Sequence, residues 1–382
     1  MADTTPALPP GARLLHIGIP KTGTTALQRA AAARRARLSA HGVCYPGRTV
    51  NHREAVCALM GRRLGWLDAG DYVPSRRHWE RLRAELDAAG HERALVSHEF
   101  VSECTDEQAR RFREELGPTL YVAVTLRGFA HLLPSSWQQY LKAGRRKAFR
   151  PWLAEILADD PHTRAAANFS RRTDQAALVR RWAEVVGPEW VIVVLADKAR
   201  PTQLTDAFED LLGLPRGALD LAGESGFASN RALSWPEAEL LRRLNYVARK
   251  PRITWQDYDL LVRGGAITRL LENRRPRDDE PPVRLPAWAA ERASARAQAY
   301  ATDIAASGCR VVGDLDSLLA PVATSEGPDD PGDQVPVDAA VELAAGLLSA
   351  ALGRGAFFDV GEAARTPVLR RLTGTARGRR LA

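Results

Sequence analysis

Three short stretches of this 382-residue chain carry residue types at spacings that could do chemistry. The first is HIGIPKTGTTALQ, from His16 to Gln28. An apolar run, Leu14 to Ile19, feeds a loop with Gly18 and Gly23, and a helical pattern follows from about Thr24 to Leu38. A strand, a glycine loop and a helix N-terminus in that order make an anion site, because backbone N–H groups and the positive end of the helix dipole converge there. Gly18 and Gly23 have the Walker spacing, but Thr24 and Thr25 stand where that loop needs Lys and Ser/Thr, and the lysine sits inside the loop as Lys21. A plain capped turn accounts for Pro20, Gly23 and a threonine. It does not account for Lys21, a cation disfavoured near a helix N-terminus unless an anion is present. The loop is therefore placed for a phosphate-like group other than the terminal phosphates of a nucleoside triphosphate.

The second stretch begins where the apolar run Leu120–Arg127 ends in a cation, with Ser135 eight residues later. An arginine at the C-terminal end of a strand lies where open α/β sheets bind ligands, and its guanidinium can grip a phosphate with two hydrogen bonds. Six basic and no acidic residues fall between Arg127 and Arg150: Arg127, Lys142, Arg145, Arg146, Lys147 and Arg150. They read either as a rim that attracts a polyanion or as a solvated helix end. The third stretch is Ser97-His98-Glu99, at the end of the run Ala94–Phe100. On a strand, Ser97 and Glu99 share one face and His98 takes the other. A carboxylate at the end of a buried strand needs partners or a task. Neither His98-Glu99 nor His91-Glu92 continues into a zinc-binding HExxH pattern.

PKTGTT, residues 20–25, resembles the 5′-phosphosulfate loop of sulfotransferases that use 3′-phosphoadenosine 5′-phosphosulfate (PAPS), and HIGIPKTGTTALQ is similar to bacterial members of that family. The resemblance implies a P-loop-like parallel sheet flanked by helices. It also implies a donor site made by Lys21, Thr22, Gly23, Thr24 and Thr25, with Arg127 and Ser135 on the 3′-phosphate. Ser136 is adjacent, so the register of that serine could shift by one. Ser97-His98-Glu99 fits the family's S-x-E pattern, which makes Glu99 the general base and His98 the alternative, with Lys21 assisting at the leaving phosphate. Trp182–Leu214, Ser229–Asn245 and Gly313–Leu318 also resemble bacterial members, so the likeness runs over about 14–320. Two departures stand out. The usual tyrosine-acidic pair after the fourth strand is Ala196-Asp197, and the Arg-Lys-Gly signature of eukaryotic cytosolic enzymes is absent, which leaves Asn230 and Arg231 as candidates for that loop. The implied activity is sulfuryl transfer to a hydroxyl or amine of a carbohydrate, glycolipid or small-molecule acceptor, with PAPS as co-substrate and no metal. The competing readings are a small-molecule or nucleotide kinase with a degenerate P-loop, and a non-catalytic nucleotide-binding protein. No helix-turn-helix, OB or RRM signature supports nucleic acid as a partner.

These stretches need elements to hold them. Apolar, β-branched runs at Leu14–Ile19, Ala94–Phe100, Leu120–Arg127 and Trp190–Ala196 read as strands covered on both faces. Helical patterns lie between them at about 76–89, 106–115, 131–143 and 174–186, with another at 201–212. Strands alternating with helices imply right-handed crossovers and a parallel sheet. Beyond 213 the pattern is mostly helical, at about 235–248, 255–272 and 287–306, with a short strand at Cys309–Val312. The expected organisation is a flexible N-terminus (1–12), a sulfotransferase-like domain (13–321), a Pro/Gly/Asp-rich linker (322–337) and a C-terminal extension (338–382). Segments 46–75, 145–172 and 273–286 read as loops that shape an acceptor pocket. Hydrophobic residues are 45% and charged residues 26% of the chain, which excludes a mostly disordered or fibrous protein. Cys44, Cys57, Cys104 and Cys309 have no CxxC spacing and read as free thiols in a reducing compartment. The N-terminus lacks the basic start and apolar run of a signal peptide, and no apolar stretch reaches spanning length, so a soluble, cytoplasmic protein is expected. The net charge of +8 admits an acidic small molecule, nucleic acid or an anionic membrane as partner.

Overall fold

A computed structural model of the chain describes residues 6–19, 22–66, 69–88, 92–160, 162–197, 200, 202–220, 231–248, 253–325 and 335–353. Its strands, in chain order, are β1 (Ala12–Gly18), β2 (Val43–Cys44), β3 (Leu64–Trp66), β4 (Ala69–Tyr72), β5 (Arg93–Ser97), β6 (Leu120–Leu126), β7 (Val191–Leu195), β8 (Leu285–Pro286), β9 (Arg310–Val312) and β10 (Thr324–Ser325). Six of them form one sheet in the order β2-β5-β1-β6-β7-β9, parallel throughout. The pair β3/β4 is an antiparallel hairpin and β8/β10 a short parallel pair. The fold is thus α/β, a parallel sheet flanked by helices with a mostly helical C-terminal half, as the alternation of patterns predicts.

The central strands are apolar on both faces because helices cover both. Leu15, Ile17, Val96, Val122 and Val124 pack with Phe112, Leu133 and Trp182 on one side. Leu14, Leu95, Ala123 and Val194 pack with Leu27, Ala31, Phe208 and Leu211 on the other. The chain leaves β1 toward β2 on one edge and leaves β6 toward β7 on the other. The crevice at the carboxyl ends of β1 and β6 is therefore the topological switch point, where open α/β sheets bind ligands.

Several sequence expectations are corrected. The third chemical stretch is not strand through Phe100: β5 stops at Ser97, and His98 caps a 3-10 helix, Glu99–Glu103, by accepting Phe100 N–H on its ring. Ser97 and Glu99 therefore do not share a strand face. The helix expected from Thr24 to Leu38 breaks at Arg34 into Thr24–Ala33 and Arg35–Ala40. Segments 46–75 and 145–172 are not loops throughout; they hold the helices Arg53–Met60, Phe149–Ile156 and Arg164–Thr173. The first two follow His52 and Ala148, neither of which caps the helix with its side chain, so the usual start signal is missing. The pattern at 255–272 divides into Trp255–Tyr258, a wider π-helical stretch Asp259–Ile267, and Thr268–Asn273.

That π-helical stretch receives a C-terminal helix, Val337–Ala351, backbone against backbone. A Cβ on Gly265 would lie 2.7 Å from the Gly346 carbonyl oxygen, and one on Gly346 would lie 2.6 Å from that of Gly265. Ala339 and Leu343 are buried beside this crossing. Polar latches flank it: Arg269 forms an ion pair with Glu342 at 2.8 Å, and Asp338 accepts from Arg274 at 2.8 Å. Arg274 is the hub of a buried cluster. It donates to Glu237 at 2.7 Å and to Glu280, while Glu237 takes a two-pronged contact from Arg231 at 2.7 and 2.8 Å. Residues 326–334 of the expected linker and 354–382 of the expected extension lie outside the described residues.

Removing Arg274 takes the buried cation from Glu280 and one of the two arginines from Glu237. Arg274→Met should lower unfolding stability by about 3–5 kcal/mol, the usual cost of breaking a buried ion pair on one side. Urea denaturation checks it; a loss under about 1 kcal/mol would mean that the cluster is solvated.

Candidate functional site

The loop between β1 and the Thr24–Ala33 helix passes over the switch-point crevice. Gly18 must be glycine: a Cβ there would lie 1.9 Å from Thr24 Oγ1 and 2.8 Å from Thr125 Oγ1. Gly23 precedes the helix with φ 87°, a left-handed conformation natural to glycine. Its N-cap, Gly23, makes no side-chain cap hydrogen bond and its first turn holds no acidic residue, so no carboxylate of the helix itself offsets the positive end of its dipole. Thr22 and Thr24 are buried, whereas Thr25 is exposed. Thr22 donates its hydroxyl to the Ile19 carbonyl at 2.8 Å and touches Thr24 Oγ1 at 3.2 Å. Of the three loop hydroxyls, Thr25's stands open to a ligand. Pro20 and Lys21, the cation on which the sequence reading leans, lie outside the described residues.

Three neighbouring strand ends bring the chemical stretches together. β5 and β6 flank β1, with His16 level with Ser97 on one side and Gly18 level with Thr125 on the other. Arg127 follows β6 by one residue, and its backbone carbonyl is held by Gln175 Nε2 at 2.7 Å. Its side chain is partly buried, and burial pushes its pKa below the usual arginine range while leaving it a cation at neutral pH. Ser135 lies in the following helix, Phe129–Lys142, where its hydroxyl turns back on Leu132 O at 3.1 Å and His131 O at 3.4 Å. Ser136 faces another way, into a small cleft lined by Gln139, Tyr140, Phe169, Arg172 and Thr173. Part of the basic rim is committed within the fold: Lys147 pairs with Glu155, and Arg146 lies over the Tyr246 ring at 5.2 Å. Arg231 is turned to Glu237 in the buried cluster described above, and Asn230 lies outside the described residues.

Around the end of β5 lie three buried histidines, of which His98 stands beside the Glu99 carboxylate. His98 Nδ1 accepts Phe100 N–H at 3.0 Å, so its proton sits on Nε2, 3.8 Å from Glu99 Oε2. His52 Nδ1 accepts Ser97 N–H at 2.9 Å and its Nε2 donates to Pro46 O at 2.8 Å. His16 bridges β5 and β6, with Nδ1 2.8 Å from Ser97 Oγ and Nε2 3.1 Å from Thr125 Oγ1. Burial drives all three below the ordinary histidine value, His16 to about 3 and His52 and His98 to about 4, Glu99 opposing the shift in His98. They are neutral at pH 7. His98 has its lone pair occupied and is nearly solvent-free, so it is poorly set up to take a proton. The Glu99 side chain is 30% exposed, and its Oε2 has no hydrogen-bond partner among the described residues.

Sequence reasoning passed over His16, Gln28, Thr125 and His52. The signal available was polar residues set in runs otherwise apolar, which on a strand covered on both faces need buried partners. Among the described residues, no group of three or more His, Cys, Asp or Glu is arranged to hold a metal ion, and no helix is long and apolar enough to cross a membrane.

No family model matches this chain, and neither does any curated protein. Among solved structures, it is similar to a sulfotransferase from Alicyclobacillus acidocaldarius, with 19% identity, a TM-score of 0.40, and coverage of 69% of this chain and 97% of that one. A likeness of that degree carries no functional weight.

The histidines make acid stability a direct readout of this site. Each folded-state pKa lies below the unfolded value of about 6.5, so the unfolded chain binds more protons below that value and stability falls as pH drops from 6.5 toward 4. Each histidine should cost about 2 kcal/mol at pH 5, at ~1.4 kcal/mol per unit. Urea midpoints at pH 7 and pH 5 measure it, and equal midpoints would mean that the three rings are solvated.

Proposed function

We propose that this protein is a sulfotransferase that moves a sulfuryl group from PAPS to a hydroxyl or amine of a carbohydrate, glycolipid or small-molecule acceptor. The observation that carries this reading is the meeting of three features at the switch-point crevice: a loop closed down on Gly18 beneath a helix N-terminus with no acidic residue in its first turn, Arg127 beyond β6, and Glu99 beyond β5. The residues suit such a donor. The helix end, Thr25 and, by resemblance, Lys21 would take the 5′-phosphosulfate, and Arg127 with Ser135 the 3′-phosphate. The acceptor O–H proton passes to Glu99 as the acceptor oxygen bonds to sulfur. The bond from sulfur to the bridging phosphate oxygen breaks, and 3′,5′-ADP leaves. A loose in-line transfer of this kind depends on positioning and charge stabilisation rather than on covalent catalysis by the protein. A kinase would want its lysine directly after Gly23, where this chain has Thr24.

Binding of 3′,5′-ADP, ATP and duplex DNA by calorimetry separates the readings: only the first should bind at micromolar concentrations. Arg127→Ala should weaken 3′,5′-ADP about tenfold to a hundredfold and leave 5′-AMP nearly unchanged. Equal weakening of both would remove Arg127 from the 3′-phosphate.

Turnover with labelled PAPS and an acceptor library tests the chemistry. Glu99→Gln should cut kcat by about 10²–10⁴-fold with 3′,5′-ADP affinity intact, and Lys21→Ala by about 10²-fold or more. A fall caused by His98→Asn with Glu99→Gln harmless would move the base to the histidine.

A further inference from the structure

A chain of polar side chains runs beneath the loop from one side of the crevice to the other, and each link has a measured length. Asn51 Nδ2 reaches Gln28 Oε1 at 3.4 Å, and Gln28 Nε2 reaches Ser97 Oγ at 3.1 Å. Ser97 Oγ meets His16 Nδ1 at 2.8 Å, and His16 Nε2 meets Thr125 Oγ1 at 3.1 Å. Thr125 Oγ1 lies 3.0 Å from Thr22 Oγ1, whose proton goes to Ile19 O at 2.8 Å.

The protons of this chain can be ordered in only one way. Thr22 has spent its hydrogen on Ile19, so it accepts from Thr125. Thr125, its hydrogen spent, accepts from His16 Nε2–H. That leaves His16 Nδ1 with a lone pair alone, which takes the Ser97 hydroxyl hydrogen. Ser97 then accepts from the Gln28 amide, whose carbonyl takes Asn51. A neutral imidazole is suited to the centre because it donates at one end of its ring and accepts at the other. His16 is fully buried, and its ring also stands edge-on to Phe208 at 4.8 Å. An apolar side chain would serve packing equally well there, but it would remove the acceptor of the Ser97 hydroxyl and the donor to Thr125 Oγ1 on the two flanking strands.

We propose that His16 is a positioning residue: through Thr125 and Thr22 it fixes Thr22–Gly23 at the entry to the first helix, and through Ser97, Gln28 and Asn51 it fixes the segment Tyr45–His52, whose His52 is bonded to the Ser97 backbone. One neutral ring thereby sets the spacing between the loop read above as the donor site and the neighbouring strand end. The functional half of this inference rests on that reading; the structural half does not.

The test uses the full chain and two variants that cut the same link, His16→Phe and the isosteric Thr125→Val, with Thr125→Ser as the conservative control. Hydrogen exchange is followed in segments 22–28 and 45–52, together with 3′,5′-ADP affinity and steady-state kinetics. Both cutting variants should speed exchange about tenfold in the two segments and leave the helix Ala287–Ala305 unchanged. Each should weaken 3′,5′-ADP about tenfold, ~1.4 kcal/mol, and raise the donor KM with kcat at saturation within about twofold, because a loop populated less often in its binding form loses apparent affinity in proportion. Thr125→Ser should behave as wild type in every measurement. If His16→Phe fails to fold, Thr125→Val carries the same comparison. A lowered melting temperature with exchange in both segments unchanged would make His16 core packing and overturn the proposal, as would Thr125→Ser acting like Thr125→Val. If wild-type protein binds no 3′,5′-ADP, the donor reading falls, and the exchange data alone uphold or overturn the role of His16 in fixing the two segments.

Discussion

The structure turns on how closely the first helix is drawn onto the first strand. Gly18 leaves no room for a side chain between β1, Thr24 and Thr125. That contact aims the N-terminus of the Thr24–Ala33 helix over the carboxyl ends of β1 and β6. Such a contact buries hydroxyls that must be paired, because an unpaired buried hydroxyl costs about 1–3 kcal/mol. The pairing is found across the sheet rather than along the chain, through His16 to Ser97. Loop geometry and the pairing of β5, β1 and β6 are therefore one constraint, and a change in any of them is felt by the others.

The same strand ends show environment dividing labour among titratable groups. His16, His52 and His98 are sealed from water with their Nδ1 lone pairs taken, so they act as fixed neutral dipoles. Glu99 sits at the first position of a 3-10 turn, partly in solvent and with one oxygen unpartnered among the described residues. Three groups that ordinarily titrate near neutrality are held neutral by burial around the end of β5. The 3-10 turn matters here: a strand continuing through Phe100 would have pointed Glu99 along the direction of Ser97, into the buried polar chain.

Much of the basic excess is spent inside the fold. Arg274 and Arg231 neutralise Glu237 and Glu280, Arg172 and Arg62 flank Glu103, and Arg269 meets Glu342. The contacts of Arg274, Arg231 and Arg269 tie the helical C-terminal half together and join the helix Val337–Ala351 to it. A net charge of +8 is thus a poor guide to a partner. Arg127 stands directly after β6 and is partly desolvated there.

The sequence by itself determined the sheet, its parallel sense and the glycine turn between the first strand and the first helix. Runs such as LLHIGI and LYVAVTL can only be strands buried on both faces, and Gly18 and Gly23 bracket a turn into a helix with no acid in its first turn. It also named Glu99 and Arg127, because a charge at the end of an apolar run is unusual on its face. Tertiary structure decided the rest. The end of β5 at Ser97 depends on His98 capping the next turn, a contact made by geometry that strand periodicity does not encode. Arg231 passed for a ligand-binding residue until Glu237 and Arg274 were seen beside it, 6 and 43 positions away in the chain. His16 looked like one polar letter in an apolar strand, for its partners Ser97 and Thr125 are 81 and 109 residues distant. Local pattern reports which face of an element is buried; which polar groups meet there is set by strand order, and strand order is a property of the whole chain.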